Sequence, residues 1–128
     1  GLIPQSLAML TQLVNLDISS NSIEGRIPKS LATLSQLESL NLGVNDLTGI
    51  IPDEFGNLTS LLELYLHNND LDGSMPDSIC ALRSIKLERL SVDCNELNAE
   101  VECPEDCCTL CDVEEIDTDT FGWNGLRL

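Results

Sequence analysis

Few side chains in this sequence are equipped for chemistry, and most of them crowd into its last third. The six cysteines, Cys80, Cys94, Cys103, Cys107, Cys108 and Cys111, all fall between residues 80 and 111. Four of them, Cys103, Cys107, Cys108 and Cys111, suffice in number for a tetrahedral zinc site, although the adjacent pair Cys107 and Cys108 fits poorly on the usual paired knuckles. All six could instead pair as disulfides, with about 15 connectivities open to them. The run from Asp117 to Leu128 opens like a calcium loop. Phe121 then falls on its fifth position and Leu128 on its twelfth, where a bidentate Glu belongs, so an EF-hand is not expected and only loose calcium binding by the acidic end remains. The lone histidine, His67, has the hydroxyls of Tyr65 and Ser91 as candidate partners. Asn57-Leu58-Thr59 is an N-glycosylation sequon, which suits an exposed turn. No resident cofactor or metal is expected from this set.

The elements that must position these residues come from a repeat. Leu58, Leu61, Leu64, Leu66, Asn69, Leu71, Gly73, Met75 and Pro76 recur 24 positions earlier as Leu34, Leu37, Leu40, Leu42, Asn45, Leu47, Gly49, Ile51 and Pro52. The same set appears once more from Leu10 to Pro28, and Gly1, Ile3 and Pro4 are the tail of a further unit. Within each unit the L-x-L tripeptide reads as a short strand, because side chains alternate along a strand and only every second one is apolar. The strands stack in parallel. Asn21, Asn45, Asn69 and Asn95 follow them where the chain turns inside the coil, and an amide there satisfies backbone groups that would otherwise cost about 1–3 kcal/mol each. Gly25, Gly49 and Gly73 mark a positive φ or a close approach. Pro28, Pro52 and Pro76 hold a short extended segment before a helical or 3₁₀ turn on the far side of the coil.

The pattern L-x-x-L-x-L-x-x-N-x-L, followed by G-x-I-P, resembles the leucine-rich repeat family, in its plant-type extracellular subclass found in receptor-like kinase ectodomains and polygalacturonase-inhibitor-like proteins. The resemblance covers roughly residues 1–97. It implies an α/β repeat solenoid with a parallel concave sheet and convex 3₁₀ or short helical turns. The fourth full unit departs from the rule: 13 residues separate Leu82 from Asn95, against 11 from Leu58 to Asn69. Val101 keeps the apolar slot of Met75, but Ala99 replaces Gly73 and Glu102 replaces Pro76, so the solenoid is ending. Residues 98–111 are expected to form a cysteine-rich C-terminal cap over the last apolar row, and 112–128 an acidic, partly disordered tail. The run from Cys103 to Cys111 resembles the ends of diatom-type leucine-rich repeat proteins. The preferred pairing joins Cys80 to Cys94 within the last repeat and leaves four cysteines for the cap.

Charge and size narrow the partners. With 22 acidic and 6 basic residues the net charge is −16, which repels phosphate backbones and excludes nucleic acid as an expected ligand. No apolar run is long enough to span a membrane. Gly1 opens in mid-unit, so the chain reads as a fragment of a longer solenoid.

Outward strand positions form three concave columns: Asn15, Ser39, Glu63 and Arg89; then Asp17, Asn41, Tyr65 and Ser91; then Ser19, Gly43, His67 and Asp93. Tyr65 and His67 stand out as amphipathic rings suited to a binding hot spot, and Glu63 and Arg89 are placed to pair. Catalysis is not expected, since a nucleophile, a base and its orienter need a pocket and four open strands give a shallow strip. The expected function is non-catalytic recognition of a protein, peptide or glycan by the concave or lateral face of an extracellular, receptor-like protein. A secreted or wall-associated adhesion protein or hydrolase inhibitor is the alternative, with a spacer array as the plainest version. Four strands about 4.8 Å apart span less than the roughly 800 Å² per partner of a stable complex.

Overall fold

The computed structural model describes residues 1–94, 101–104 and 106–111. Each L-x-L tripeptide forms a strand: β1 (Asn15–Asp17), β3 (Ser39–Asn41), β5 (Glu63–Tyr65) and β7 (Arg89–Val92). They pair in parallel in the order β1-β3-β5-β7, with Leu16, Leu40, Leu64 and Leu90 side by side. Behind them the leucine rows close into one apolar cluster that runs the length of the coil, its buried members at most 5% exposed. Full burial of each such side chain is worth about 1.5–3 kcal/mol, and with almost no aromatic bulk available the coil stays narrow.

The convex wall is a ladder of single turns. The 3₁₀ turns Gln5–Met9, Lys29–Thr33 and Asp53–Asn57 each follow an extended proline, and the fourth is α1 (Asp77–Cys80), continued by the 3₁₀ turn Ala81–Ser84. Leu31, Phe55 and Ile79 drop from these turns into the core at the same place. The two extra residues of the last unit are absorbed here. Ile85 and Lys86 widen the return, the carbonyl of Leu82 accepts three successive backbone N–H groups, and Arg83 Nη1 donates to the carbonyls of Leu87 and Glu88 at 2.8 and 2.7 Å.

The extended segments after each asparagine do more than the sequence suggests. They form a second parallel sheet on the side of the coil, β2 (Glu24–Arg26), β4 (Asp46–Ile50) and β6 (Asp70–Asp72). Gly49 shows why glycine recurs there. Its φ is +84°, and an added Cβ would stand 3.2 Å from Cγ of Arg26, which lies across it from the preceding unit. Leu2 and Ile50 cover Gly25 and Gly73 in the same way.

The asparagine ladder forms as expected at its inner rungs. Asn69 accepts from the N–H of Leu47 at 3.0 Å and donates to the carbonyls of Leu42, Leu66 and His67. Asn45 repeats the arrangement on Ile23, Ile18, Leu42 and Gly43, whereas the side chain of Asn21, at the exposed end, bonds only within its own turn. Asn95 and the acidic end with its calcium-like run lie outside the described residues.

The cap is stapled, but not as the sequence suggests. Cys80 bonds to Cys107, Cys94 to Cys111 and Cys103 to Cys108, so the expected Cys80–Cys94 bridge is wrong. The reason is geometric: Cys80 ends α1 on the convex wall while Cys94 follows β7 on the concave side, and each reaches a different part of the cap. Strand β8 (Leu110–Cys111) extends the concave sheet beyond β7. Just before it, the Thr109 backbone N–H and hydroxyl both bond to the backbone of Leu90. Val101 and Cys107 are buried against the core.

Candidate binding face

The concave columns stand in the predicted register. Asn15, Ser39, Glu63 and Arg89 are successive partners, as are Asp17, Asn41, Tyr65 and Ser91. Glu63 is the hub of the first column. One of its oxygens meets Arg89 Nη1 at 3.4 Å, and the other accepts from the Tyr65 hydroxyl at 3.0 Å. Arg89 keeps 39% of its side chain exposed and Glu63 15%, so the pair is partly open to a ligand.

Tyr65 and His67 do not stand in solvent as the sequence suggests. They are 0% and 2% exposed, and Ser91, Ser39 and Asn41 are buried with them. Part of the cause is local. Gly43 brings no side chain, and the His67 ring fills that space, with Cε1 2.7 Å from where a Cβ would stand. His67 Nδ1 shares a 2.8 Å hydrogen bond with Ser91 Oγ, and the Tyr65 ring meets the imidazole edge-on at 6.2 Å. Burial holds the imidazole below its ordinary pKa, with the charge of Asp93 acting in the opposite sense. Burial, and then the charge and hydrogen bond of Glu63, push the Tyr65 phenol well above its usual range, partly offset by Arg89. Both rings are therefore neutral at pH 7.

Asp93 has a role that its position in the third column does not reveal. Its carboxylate accepts the backbone N–H groups of Asn68 at 2.8 Å and Asn69 at 3.1 Å, tying the turn of one unit to the strand end of the next. Asp17 and Asn41 hold their own turns, accepting the N–H of Ser19 and Gly43. Ser91 and His67 have the contact of a nucleophile and a base, yet Ser91 Oγ sits beneath a fully buried residue surface where a substrate has no approach. The margin that remains accessible consists of Asn15, Asp17, Ser19, Glu63, Arg89 and Asp93.

The lateral sheet offers a second polar surface that the sequence does not single out. Glu24 faces Asp46, and Arg26, Thr48 and Asp70 form a continuous exposed column. On the convex side Asn57 and Thr59 of the sequon are exposed, with Leu58 buried between them. The sulfurs of the six cysteines are all committed to bonds. Among the described residues no helix is long and apolar enough to cross a membrane.

The family model for the leucine rich repeat matches residues 5–71. Among solved structures, the chain is similar to the Arabidopsis thaliana receptor kinase GASSHO1/SCHENGEN3 ectodomain, crystallised in complex with CASPARIAN STRIP INTEGRITY FACTOR 2. The two are 40% identical over 73% of this chain, with a TM-score of 0.66. It is similar to the plant peptide hormone receptor RGFR1 in complex with RGF2, at 32% identity over 80% of this chain and a TM-score of 0.67. The ectodomain of the Arabidopsis thaliana receptor kinase SOBIR1 matches 99% of this chain at 28% identity and a TM-score of 0.67. The chain spans 11%, 15% and 59% of those three proteins. No curated protein sequence matches it.

Proposed function

The chain belongs to the leucine-rich repeat family, and on that footing we propose that it is a non-catalytic recognition module of an extracellular, receptor-like protein, taking a peptide or protein ligand. The observation that carries this proposal is the accessible Glu63–Arg89 pair at the centre of an in-register polar strip on the concave sheet. Tyr65, His67 and Ser91 stiffen the strip from below; the ligand is met by Glu63 and Arg89, flanked by Asn15, Asp17 and Asp93. A carboxylate and a guanidinium side by side suit a ligand that presents a cation and an anion at matching spacing, as a peptide with neighbouring basic and acidic groups does. Extracellular placement is supported by the disulfide-bonded cap and by the ectodomain relatives.

The test is a binding screen of the oxidised chain against a library of secreted peptides by surface plasmon resonance. A saturable hit weakened about tenfold or more by the double substitution Glu63→Ala and Arg89→Ala supports the proposal, since losing a desolvated charge pair typically costs 2 kcal/mol or more. A hit indifferent to that substitution but abolished by Asp70→Ala moves the site to the lateral sheet. No saturable hit with any peptide overturns the proposal.

A further inference from the structure

The flank opposite the lateral sheet, where the chain enters each concave strand, differs in charge from the rest of the surface. The concave sheet sets Asp17, Glu63 and Asp93 against Arg89, the lateral sheet sets Glu24, Asp46, Asp70 and Asp72 against Arg26, and the convex wall sets Asp53, Glu54 and Asp77 against Lys29. On this flank the signs balance among the described residues, with Arg83 and Lys86 beside Glu38 and Glu88. A backbone ladder fixes their order. The Leu62 N–H donates to the Glu38 carbonyl at 2.7 Å, and the Glu88 N–H to the Leu62 carbonyl at 2.8 Å. Leu62 is therefore central, with Glu38 one coil before it and Lys86 one coil after it. The insertion in the last unit shapes the corner: Lys86 and Ile85, the latter 57% exposed, line an open notch of about 390 Å³ together with the half-buried Leu62. Neither Glu38 nor Lys86 has an ionic partner among the described residues.

We propose that this flank is an interaction surface for a second copy of the chain, the two solenoids pairing antiparallel about a two-fold axis. An axis through Leu62 sets that residue against its counterpart and brings the last coil of each copy over the second coil of the other. Lys86 of each copy then meets Glu38 of the other, so one complementary pair of side chains yields two ion pairs, as an isologous interface requires. Leu62 and Ile85 supply the apolar centre, and the charges form its rim. Glu88 stays beside Arg83, whose Nη1 is bonded to its carbonyl. On the other faces a second chain of charge −16 meets an excess of its own sign. The patch spans three coils, which places it among transient contacts that bury less than about 1,200 Å² in total. The concave strip is not part of the interface, and the pairing does not depend on what that strip binds.

The test is sedimentation equilibrium of the full oxidised chain from about 10 μM to about 1 mM, the range of weak complexes. A monomer–dimer equilibrium is expected. Lys86→Glu and Glu38→Lys should each weaken it about tenfold or more, because like charges then face each other twice. Lys29→Glu makes the same change in net charge on the convex wall and should alter it by less than about twofold, since distant repulsion is screened. Mixing the Lys86→Glu chain with the Glu38→Lys chain should restore pairing to within about threefold of the unsubstituted chain, because both ion pairs are remade with their signs exchanged. The mixture also reports on folding, as only folded chains can rescue each other. An unsubstituted chain that stays monomeric at about 1 mM overturns the proposal, as does a dimer that Lys29→Glu weakens as much as Lys86→Glu. A dimer indifferent to both charge reversals but abolished by Met9→Asp pairs through the apolar end beside β1, where Met9 is 80% exposed, and overturns it too.

Discussion

Replacing Asn69 by Ala removes the best-connected rung of the asparagine ladder without touching a strand or a turn. The amide oxygen is the acceptor for the Leu47 N–H, and the amide nitrogen has only two hydrogens for the carbonyls of Leu42, Leu66 and His67. The Leu42 carbonyl keeps a second donor in Asn45, so its loss is mild. The Leu47 N–H is left buried and unpaired, a cost of about 1–3 kcal/mol, and the lost donor bonds add about 1 kcal/mol. The total is about 3 kcal/mol, or roughly 10–15 °C in Tm for a domain of this size. Asn21→Ala is the matched control, because Asn21 occupies the same repeat position but is exposed and its side chain bonds only to Ile18 and Ser19. Water replaces those bonds, and the loss should stay under about 1 kcal/mol. Guanidinium denaturation of the oxidised chain at pH 7, followed by circular dichroism, measures both, and an unchanged slope shows that stability alone has moved. If the two substitutions differ by less than about 0.5 kcal/mol, the ladder is not a set of buried backbone partners and the argument fails.

Gly49→Ala forces a side chain into φ +84° and against the Arg26 stem, and should cost about 1–2 kcal/mol in the same assay; a loss below about 0.5 kcal/mol would mean that the lateral sheet yields freely. His67 titrates below its unfolded pKa of about 6.5 because burial disfavours its charged form. The unfolded chain therefore takes up the proton first, so the His67 contribution is fully present above that pH and is lost as pH falls from about 6.5 toward the depressed folded value. His67→Gln should flatten this limb, and identical pH profiles for both proteins would refute it. Removing disulfides singly as Cys-to-Ser pairs should destabilise in order of loop length: about 3.5 kcal/mol for Cys80–Cys107, about 3 for Cys94–Cys111 and about 2 for Cys103–Cys108. A reversed order in thermal melts would contradict the chain-entropy account.

The solenoid was legible because its core repeats one residue type at fixed spacing, so register followed from counting. Leu40 beside Leu64, the extended prolines and the convex turns after Pro28 and Pro52 all follow from that count. The disulfide pairing was not legible, since a count says nothing of which wall of the coil Cys80 and Cys94 occupy. The lateral sheet hid because residues such as Glu24, Asp46 and Asp70 are not strand formers; their pairing comes from the stacking of whole coils rather than from local preference. Tyr65 and His67 were placed in the correct columns, but outward direction was equated with exposure. The cavity above Gly43 and the Ser91 hydroxyl, each one repeat away, draw the imidazole in. Val44, left-handed at φ 56° despite its branched side chain, is equally invisible to propensity and is held by its N–H bond to the His67 carbonyl.

The bridges from Cys80 and Cys94 fasten both walls of the last coil to one plate. A tensile load reaching the molecule from the C-terminal side is thus shared by covalent links on the convex and concave walls at once, and the final coil cannot shear between them. Among the described residues the coil of β1 is held to that of β3 by hydrogen bonds and leucine packing, with no covalent link between them. Mechanical unravelling must then travel one way, peeling coils from β1 toward the riveted plate, and in a force ramp each 24-residue unit should lengthen the tether by a similar step until the disulfides halt it.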